Sequence, residues 1–264
     1  MAISGRTKVI AIIGHPTSQV RSPTTVNAEL ARRAVDAVLV PIDLEPDAVP
    51  AFLDVLRHWR NAPGCVVTVP HKSACAGLVD SLSERARQLG AVNLIRRADD
   101  GRLEGDMVDG EGFMQALKQG GFDPTGKAAV VFGAGAVGRA LLLSLAAAGI
   151  RRLVFSDPDT KRLAQLQQLA ETAGVASLLS VGAPTDLGEF DLAVNASPVG
   201  MGTDERLPFD PRTLPVHAVV ADVVTDPADT PLLRAAKAHG CHVQIGNAMS
   251  DAQLAMQLAF FGLL

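Results

Sequence analysis

Short apolar runs alternate with amphipathic stretches along almost the whole chain, and that rhythm predicts a parallel α/β protein. Val9–Ile13, Val38–Ile42 and Cys65–Val69 read as buried strands, with helices over about Thr24–Ala34 and Asp47–Trp59 between them. Ser22-Pro23 supplies a start for the first helix, and Val49, Phe52, Leu53 and Leu56 recur at helical spacing, which makes that stripe core. Asn93–Arg97 and Arg102–Asp106 flank the turn Ala98-Asp-Asp-Gly101 and read as a hairpin adding an antiparallel edge. A helix from Gly110 to about Gln119 leads out of this unit, and the turn-rich Gly120–Gly126 marks a boundary.

Beyond it, strands at Ala128–Phe132, Arg152–Ser156, Ser177–Val181, Asp191–Asn195, Ala218–Val223 and Cys241–Ile245 alternate with helical stretches. This half predicts a doubly wound sheet whose ligand lies at the carboxyl ends of its strands. The last helix, Asn247–Phe261, has no strand after it and is expected to return to the first domain. The expected division is residues 1–110 plus 246–264 as one α/β domain with a mainly parallel sheet, and 111–245 as a Rossmann-type domain.

The most informative stretch runs from Ala128 to Ala140. Gly133, Gly135 and Gly138 make a G-x-G-x-x-G turn between a strand and a helix that reaches about Ala148, with Ala134, Ala136 and Val137 filling the loop. Gly133 allows the tight turn, Gly135 lets backbone N–H groups approach a pyrophosphate, and Gly138 lets helix and strand pack closely. The next strand ends in Asp157, an acid placed to accept hydrogen bonds from ribose hydroxyls and to repel a 2′-phosphate. A dinucleotide is therefore expected here, NAD in preference to NADP, although Lys161 and Arg162 follow closely enough to soften the discrimination.

Composition narrows the partners. A 264-residue chain with 48% hydrophobic residues can bury one large core or two modest ones. A net charge of −4 gives no electrostatic reason to expect nucleic acid, so a small molecule is the expected partner. Met1–Lys8 lacks an apolar signal core, and the longest apolar run, Ala140–Ile150, is interrupted by Ser144 and too short to span a bilayer; a cytoplasmic protein with no membrane partner is expected. Cys65, Cys75 and Cys241 are odd in number and scattered, which argues against a disulfide framework, and no Cys/His spacing suggests a metal site.

Two further motifs carry chemistry. Val67-Thr-Val-Pro-His-Lys72 places a lysine just past a buried strand, either as a solvated surface group or as a functional amine. Gly105-Asp-Met-Val-Asp-Gly110 places Asp109 at the start of the exit helix, where a capping role is the plain alternative.

With these motifs in order, the chain resembles the shikimate/quinate dehydrogenase family over nearly its whole length. Gly14–Pro23 is similar to the family's substrate-carboxylate loop, Val67–Lys72 to its catalytic-lysine motif, Ala91-Val-Asn93 to its substrate asparagine, and Gly105–Gly110 to G-D-N-T-D-G. Asn195–Met201 is similar to N-A-T-x-x-G-M, Asp222–Leu233 to D-x-V-Y-x-P-x-x-T-P-L-L, and Gly246–Gln253 to G-x-x-M-L-x-x-Q. The resemblance implies an oxidoreductase passing hydride between a cyclic polyol or hydroxy acid and nicotinamide, with Lys72 and Asp109 as the catalytic pair. It implies that Ser22, Thr68, Asn93 and Gln253 hold substrate oxygens, and that Ser197, Pro198, Met201, Val223, Gly246 and Met249 border the cofactor. Taken singly, Ser22 also reads as a cap, Thr68 as a strand residue, Asn93 as a turn and Gln253 as an exposed helix position. A homodimer is suggested by the resemblance alone.

Departures from the family pattern bear on the substrate. Val20 stands where one of two carboxylate-holding serines is expected, in the run Gln19-Val20-Arg21-Ser22; Val66 replaces an asparagine, and Thr225 a tyrosine. Met107-Val108 replaces N-T beside Asp109, and Ser156–Thr160 replaces the N-R-T of NADP-preferring members. A lost hydrogen bond to a charged group costs about 1.5–3 kcal/mol, so shikimate is expected to be a poor substrate. The same departures motivate a second expectation, a ligand-sensing protein on this fold with little turnover.

Overall fold

The computed structural model describes residues 3–18, 20–184 and 186–264. The chain divides into two compact units, Met1–Val108 with Gln253–Leu264, and Asp109–Ala252.

The first unit is built on β1 (Lys8–Gly14), α1 (Ser22–Arg32), β2 (Ala37–Asp43), α2 (Val49–His58), β3 (Gly64–Val67), α3 (Lys72–Ala76), β4 (Ser81–Leu82), α4 (Glu84–Leu89), β5 (Leu94–Arg97) and β6 (Leu103–Asp106). Its sheet has the order β2-β1-β3-β5-β6-β4. β1 pairs in parallel with β2 and β3, while β5 runs antiparallel to both β3 and β6. The expected hairpin is present, but it is not the edge: the two-residue β4 pairs in parallel outside β6. So short a strand carries no periodic pattern, which is why only its neighbours are readable in the sequence. Residues Ile10 and Ile12 of β1, Leu30 of α1, Leu39 of β2, Val66 of β3 and Leu94 of β5 share one buried cluster, which fixes the sheet's register because a one-residue slip would turn each outward.

The second unit comprises α5 (Asp109–Gln119), β7 (Ala128–Phe132), α6 (Ala136–Ala147), β8 (Arg152–Ser156), α7 (Thr160–Thr172), β9 (Leu179–Val181), β10 (Leu192–Asn195), β11 (Val219–Asp222), α8 (Pro231–His239), β12 (His242–Gln244) and α9 (Gly246–Phe260), whose last turns belong to the first unit. Its sheet order is β12-β11-β10-β7-β8-β9, parallel throughout. The chain reverses direction across the sheet between β7 and β10, so the crevice at their carboxyl ends is where a doubly wound sheet receives a ligand. β10 is buried along its whole length, the continuous apolar run expected of a strand covered on both faces.

Cys65, Cys75 and Cys241 are free and buried, and burial pushes the Cys75 thiol up to about 12. Among the described residues no helix is long and apolar enough to cross a membrane, and no group of His, Cys, Asp or Glu could hold a metal ion.

Candidate active site

In the first unit the predicted residues gather at the carboxyl ends of β1, β3 and β6. The Thr68 N–H donates to the Ile13 carbonyl at 2.9 Å, and the His15 N–H donates to the Val69 carbonyl at 3.1 Å. Gly14 lies so close to Thr68 Cγ2 that a side chain there would collide with it, so the loop after β1 rests directly on residues 68–69. Lys72 is half-buried and opens α3, a helix absent from the sequence reading because five residues are too few to show a helical period. The residue before it, His71, is fully buried, and its Nε2–H donates to the Leu44 carbonyl at 2.8 Å. That bond ties the start of α3 to the end of β2 and fixes the position from which Lys72 projects. Sequence reasoning gave His71 no role, since a lone histidine offers no sign of being buried.

Asn93 is neither an exposed turn nor a solvated amide. It is 3% exposed, its Oδ1 accepts from the Val108 N–H at 3.0 Å, and its Nδ2 donates to Gln253 Oε1 at 3.5 Å. Gln253 is 6% exposed, so its helix position is buried rather than open. Beneath them Asp106 accepts from Ser83 Oγ, from Arg85 and from the Met107 N–H. Burial pushes that carboxyl up, but the Arg85 guanidinium, the Ser83 hydroxyl and the Met107 amide outweigh it and hold the carboxyl below its ordinary range. Met107 and Val108, which replace the family's polar pair, are both buried, and Val108 joins the core.

On the loop, Ser22 is the first residue of α1 and half-buried, while the cap position before it is Arg21. Val20 is half-buried and packs against the same core cluster that holds Val66. Gln19 lies outside the described residues. The loop's other anchor is Asp43, which accepts from the Thr17 N–H at 3.1 Å and from His15 Nδ1 at 2.6 Å. This bond to Asp43, aided by Glu45, raises the His15 pKa.

In the second unit Asp109 is the first residue of α5 and 3% exposed. The glycine loop has the features a dinucleotide requires. Gly133 has φ +116° and lies against Ala196, where a Cβ would approach the Ala196 carbonyl oxygen to 2.6 Å; Gly138 leaves no room for a Cβ beside the Gly133 carbonyl. Gly135, by contrast, faces open space. It is the N-cap of α6, no side chain caps it, and no acid lies in the first turn, so the N–H groups over Ala136, Val137 and Gly138 are presented to an anion.

Asp157 does something different from what its place in the sequence suggests. Its side chain is 3% exposed, Oδ2 accepts from the Ala134 N–H at 2.7 Å, and Oδ1 accepts from the Asp159 N–H at 2.8 Å. It thus braces the glycine loop. The acid that reaches solvent here is Asp159, 45% exposed, which caps α7 by accepting from the Lys161 N–H at 2.9 Å. Arg162 leans over both, 3.9 Å from Asp157 and 3.5 Å from Asp159. The acid-x-acid spacing was the visible signal for Asp159.

The remaining predicted positions line the ends of β10, β11 and β12. Asn195 Oδ1 accepts from the Ser197 N–H and hydroxyl, and the Val223 N–H donates to the Asn195 carbonyl at 3.0 Å. Gly246 is pressed against the Val224 carbonyl, Met249 is buried, Val223 and Thr225 are half-buried, and Pro198 and Met201 are exposed. Together with Gly133 against Ala196, these contacts bring the loops after β7, β10, β11 and β12 into one continuous rim.

Comparison with known proteins agrees with this architecture. Residues 12–95 match the model of the shikimate dehydrogenase substrate binding domain. The chain is 39% identical to a shikimate dehydrogenase (NADP(+)) of Rhodospirillum rubrum over 247 residues, 90% of this chain and 86% of that one. Among solved structures, a shikimate dehydrogenase in complex with NADP+ superposes with TM-score 0.93 at 28% identity, covering 100% of this chain and 92% of the other. The quinate dehydrogenase from Corynebacterium glutamicum in complex with NAD gives 0.87 at 29% identity, covering 98% and 94%. Motif order, sheet topology and relatedness over nearly the full length converge, and the chain belongs to the shikimate/quinate dehydrogenase family.

Proposed function

We propose that this chain is a dehydrogenase acting on the secondary alcohol of a cyclic polyol or hydroxy acid, with residues 111–245 holding the dinucleotide and residues 1–110 with 246–264 holding the substrate. The observation that carries this reading is the uncapped N-terminus of α6 behind an open Gly135, a cradle for pyrophosphate. When bound, the nicotinamide supplies or takes up the hydride. The chain's own residues do the rest. Lys72 takes the proton of the substrate hydroxyl as the carbinol C–H bond gives up hydride and the alcohol becomes a ketone, and Asp109 is assigned as the other member of the catalytic pair. Thr68 and Ser22 offer hydroxyls, and Asn93 and Gln253 offer amides, to the remaining substrate oxygens.

The cofactor assigned is NAD. Asp157 and Asp159 bracket Pro158 where an arginine platform would be needed, and two carboxylates oppose a phosphate dianion at close range. Asp159 is assigned the ribose contact and Asp157 the bracing of the loop. The relatives named for NADP(+) make this the sharper test: steady-state assays of shikimate, quinate and related polyols with each cofactor are expected to give the higher kcat/KM with NAD. A higher value with NADP overturns the assignment. A second reading, a ligand-sensing protein with little turnover, draws on the apolar packing of Val20 and Val66. Tight NADH binding without turnover of any substrate in that panel would favour it.

A further inference from the structure

At the centre of the rim around the carboxyl ends of β10 and β11 lies a buried carboxylate to which the mechanism above gives no part. Asp222, the last residue of β11, is 1% exposed. Its Oδ1 accepts from Asn195 Nδ2 at 3.0 Å and from the Val224 N–H at 3.0 Å, and its Oδ2 accepts from the Thr230 hydroxyl at 2.7 Å. Each donor governs a different segment. Asn195 also donates to the Val199 carbonyl at 2.9 Å and accepts from Ser197, so its amide sets the course of residues 195–199. Val224 is pressed against Gly246, which leads into α9. Thr230 is 0% exposed and caps α8, its Oγ1 accepting from the Leu233 N–H at 3.3 Å.

Among the described residues no cation compensates this carboxylate: the groups facing it from β10, from the 223–224 turn and from the start of α8 are an amide, a backbone N–H and a hydroxyl. A buried carboxylate satisfied by neutral donors alone is a costly way to join three loops, because a neutral side chain of the same shape would avoid the desolvation. It does provide charge-assisted bonds, which are shorter and stronger than neutral ones and hold their donors in narrower geometry.

We propose that Asp222 is the positioning residue of the nicotinamide end of the cofactor site: its ionised form locks residues 195–199 and 223–224 in the arrangement that receives the ring, and its protonation releases them. This rests on the dinucleotide reading given above. Burial pushes the Asp222 carboxyl up to about 6 against the pull of its three donors, so the release falls within an accessible pH range. The Thr230 hydroxyl is the natural partner of that proton, since it can turn to accept from a protonated Oδ2.

Fluorescence titration with NADH and with NADPH, between about pH 5.5 and 8.5, tests this without reference to turnover. For the wild type, Kd for the preferred cofactor is expected to rise several-fold as pH falls through about 6. Asp222→Asn is expected to bind about tenfold more weakly at pH 8, with no pH step, while its melting temperature at pH 8 rises because the buried charge is gone. Thr230→Val removes a donor to the carboxylate and should move the wild-type step to higher pH; Thr230→Ser should restore it. A role that is structural only would lower the melting temperature of Asp222→Asn and leave the pH step in place. Equal Kd values and equal pH profiles for wild type and Asp222→Asn overturn the proposal while leaving the dinucleotide reading intact. Failure of the folded wild type to bind either cofactor at any pH overturns both.

Discussion

Lys72 and Val20 divide the chemistry at residue scale, one assigned to the reacting bond and the other to the choice of substrate. Lys72→Ala is expected to lower kcat by about 10²–10⁴, the range general acid–base catalysis supplies, with the Kd for NADH nearly unchanged. Equal losses in both would mean that the lysine holds the fold of α3 rather than a proton. Val20 is half-buried and packs against a hydrophobic cluster, and a valine in that place has no hydrogen bond to offer a carboxylate. Val20→Ser should raise kcat/KM for shikimate by about tenfold, the effect of one hydrogen bond to a charged group, with little change for an uncharged polyol. A uniform change across both substrates would show that the loop had merely shifted. The lysine was legible in the sequence because it closes a motif next to a strand, whereas His71, whose buried ring holds the start of α3, was not. Burial of a single polar side chain leaves no periodic trace.

Elements show the same division between what pattern reveals and what packing decides. Of the six parallel strands of the second sheet, β7, β8, β10 and β11 were readable as apolar runs and the short, more polar β9 and β12 from their place in the strand–helix alternation, and the glycine spacing located the start of α6 correctly. The short α3, β4 and α4 were not readable, since two to six residues do not complete a recognisable repeat. Nor could spacing show that Asp157 points inward. That took the two hydrogen bonds from Ala134 and Asp159, which make the β8–α7 turn a brace for the glycine loop. The loop's glycines consequently differ in kind. Gly138→Ala places a methyl against the Gly133 carbonyl and should lower the melting temperature markedly along with cofactor affinity. Gly135→Ala meets nothing within 4 Å, so the variant should melt as the wild type does while its NADH Kd rises. Parallel melting curves and NADH titrations check the contrast, and a Gly135→Ala variant that binds normally would remove the pyrophosphate from this position.

Over the whole molecule, the pH dependence of stability should be governed by two buried carboxyls pulling in opposite directions. Most other ion pairs are exposed and contribute little each. Asp106 has its carboxyl held below the ordinary range, so the stability it provides is present above about pH 4 and is lost as acid protonates it. Asp222 has the reverse sign. With a folded value of about 6 against an ordinary 3.8, the folded state binds a proton more readily than the unfolded one, so stability falls as pH rises between those values. The full cost above that window is about 3 kcal/mol, taking 1.36 kcal/mol per pKa unit. Wild-type melting temperature is therefore expected to peak on the acid side of neutrality and to decline by several degrees towards pH 7. Asp222→Asn should flatten that decline without altering the acid limb, and Asp106→Asn should blunt the acid limb without altering the decline. The two carboxyls lie in different units with separate cores, so the double variant should show both changes additively. A wild-type melting temperature that rises steadily from pH 5 to pH 7 would mean that Asp222 is ionised without penalty, and its burial would then need another explanation.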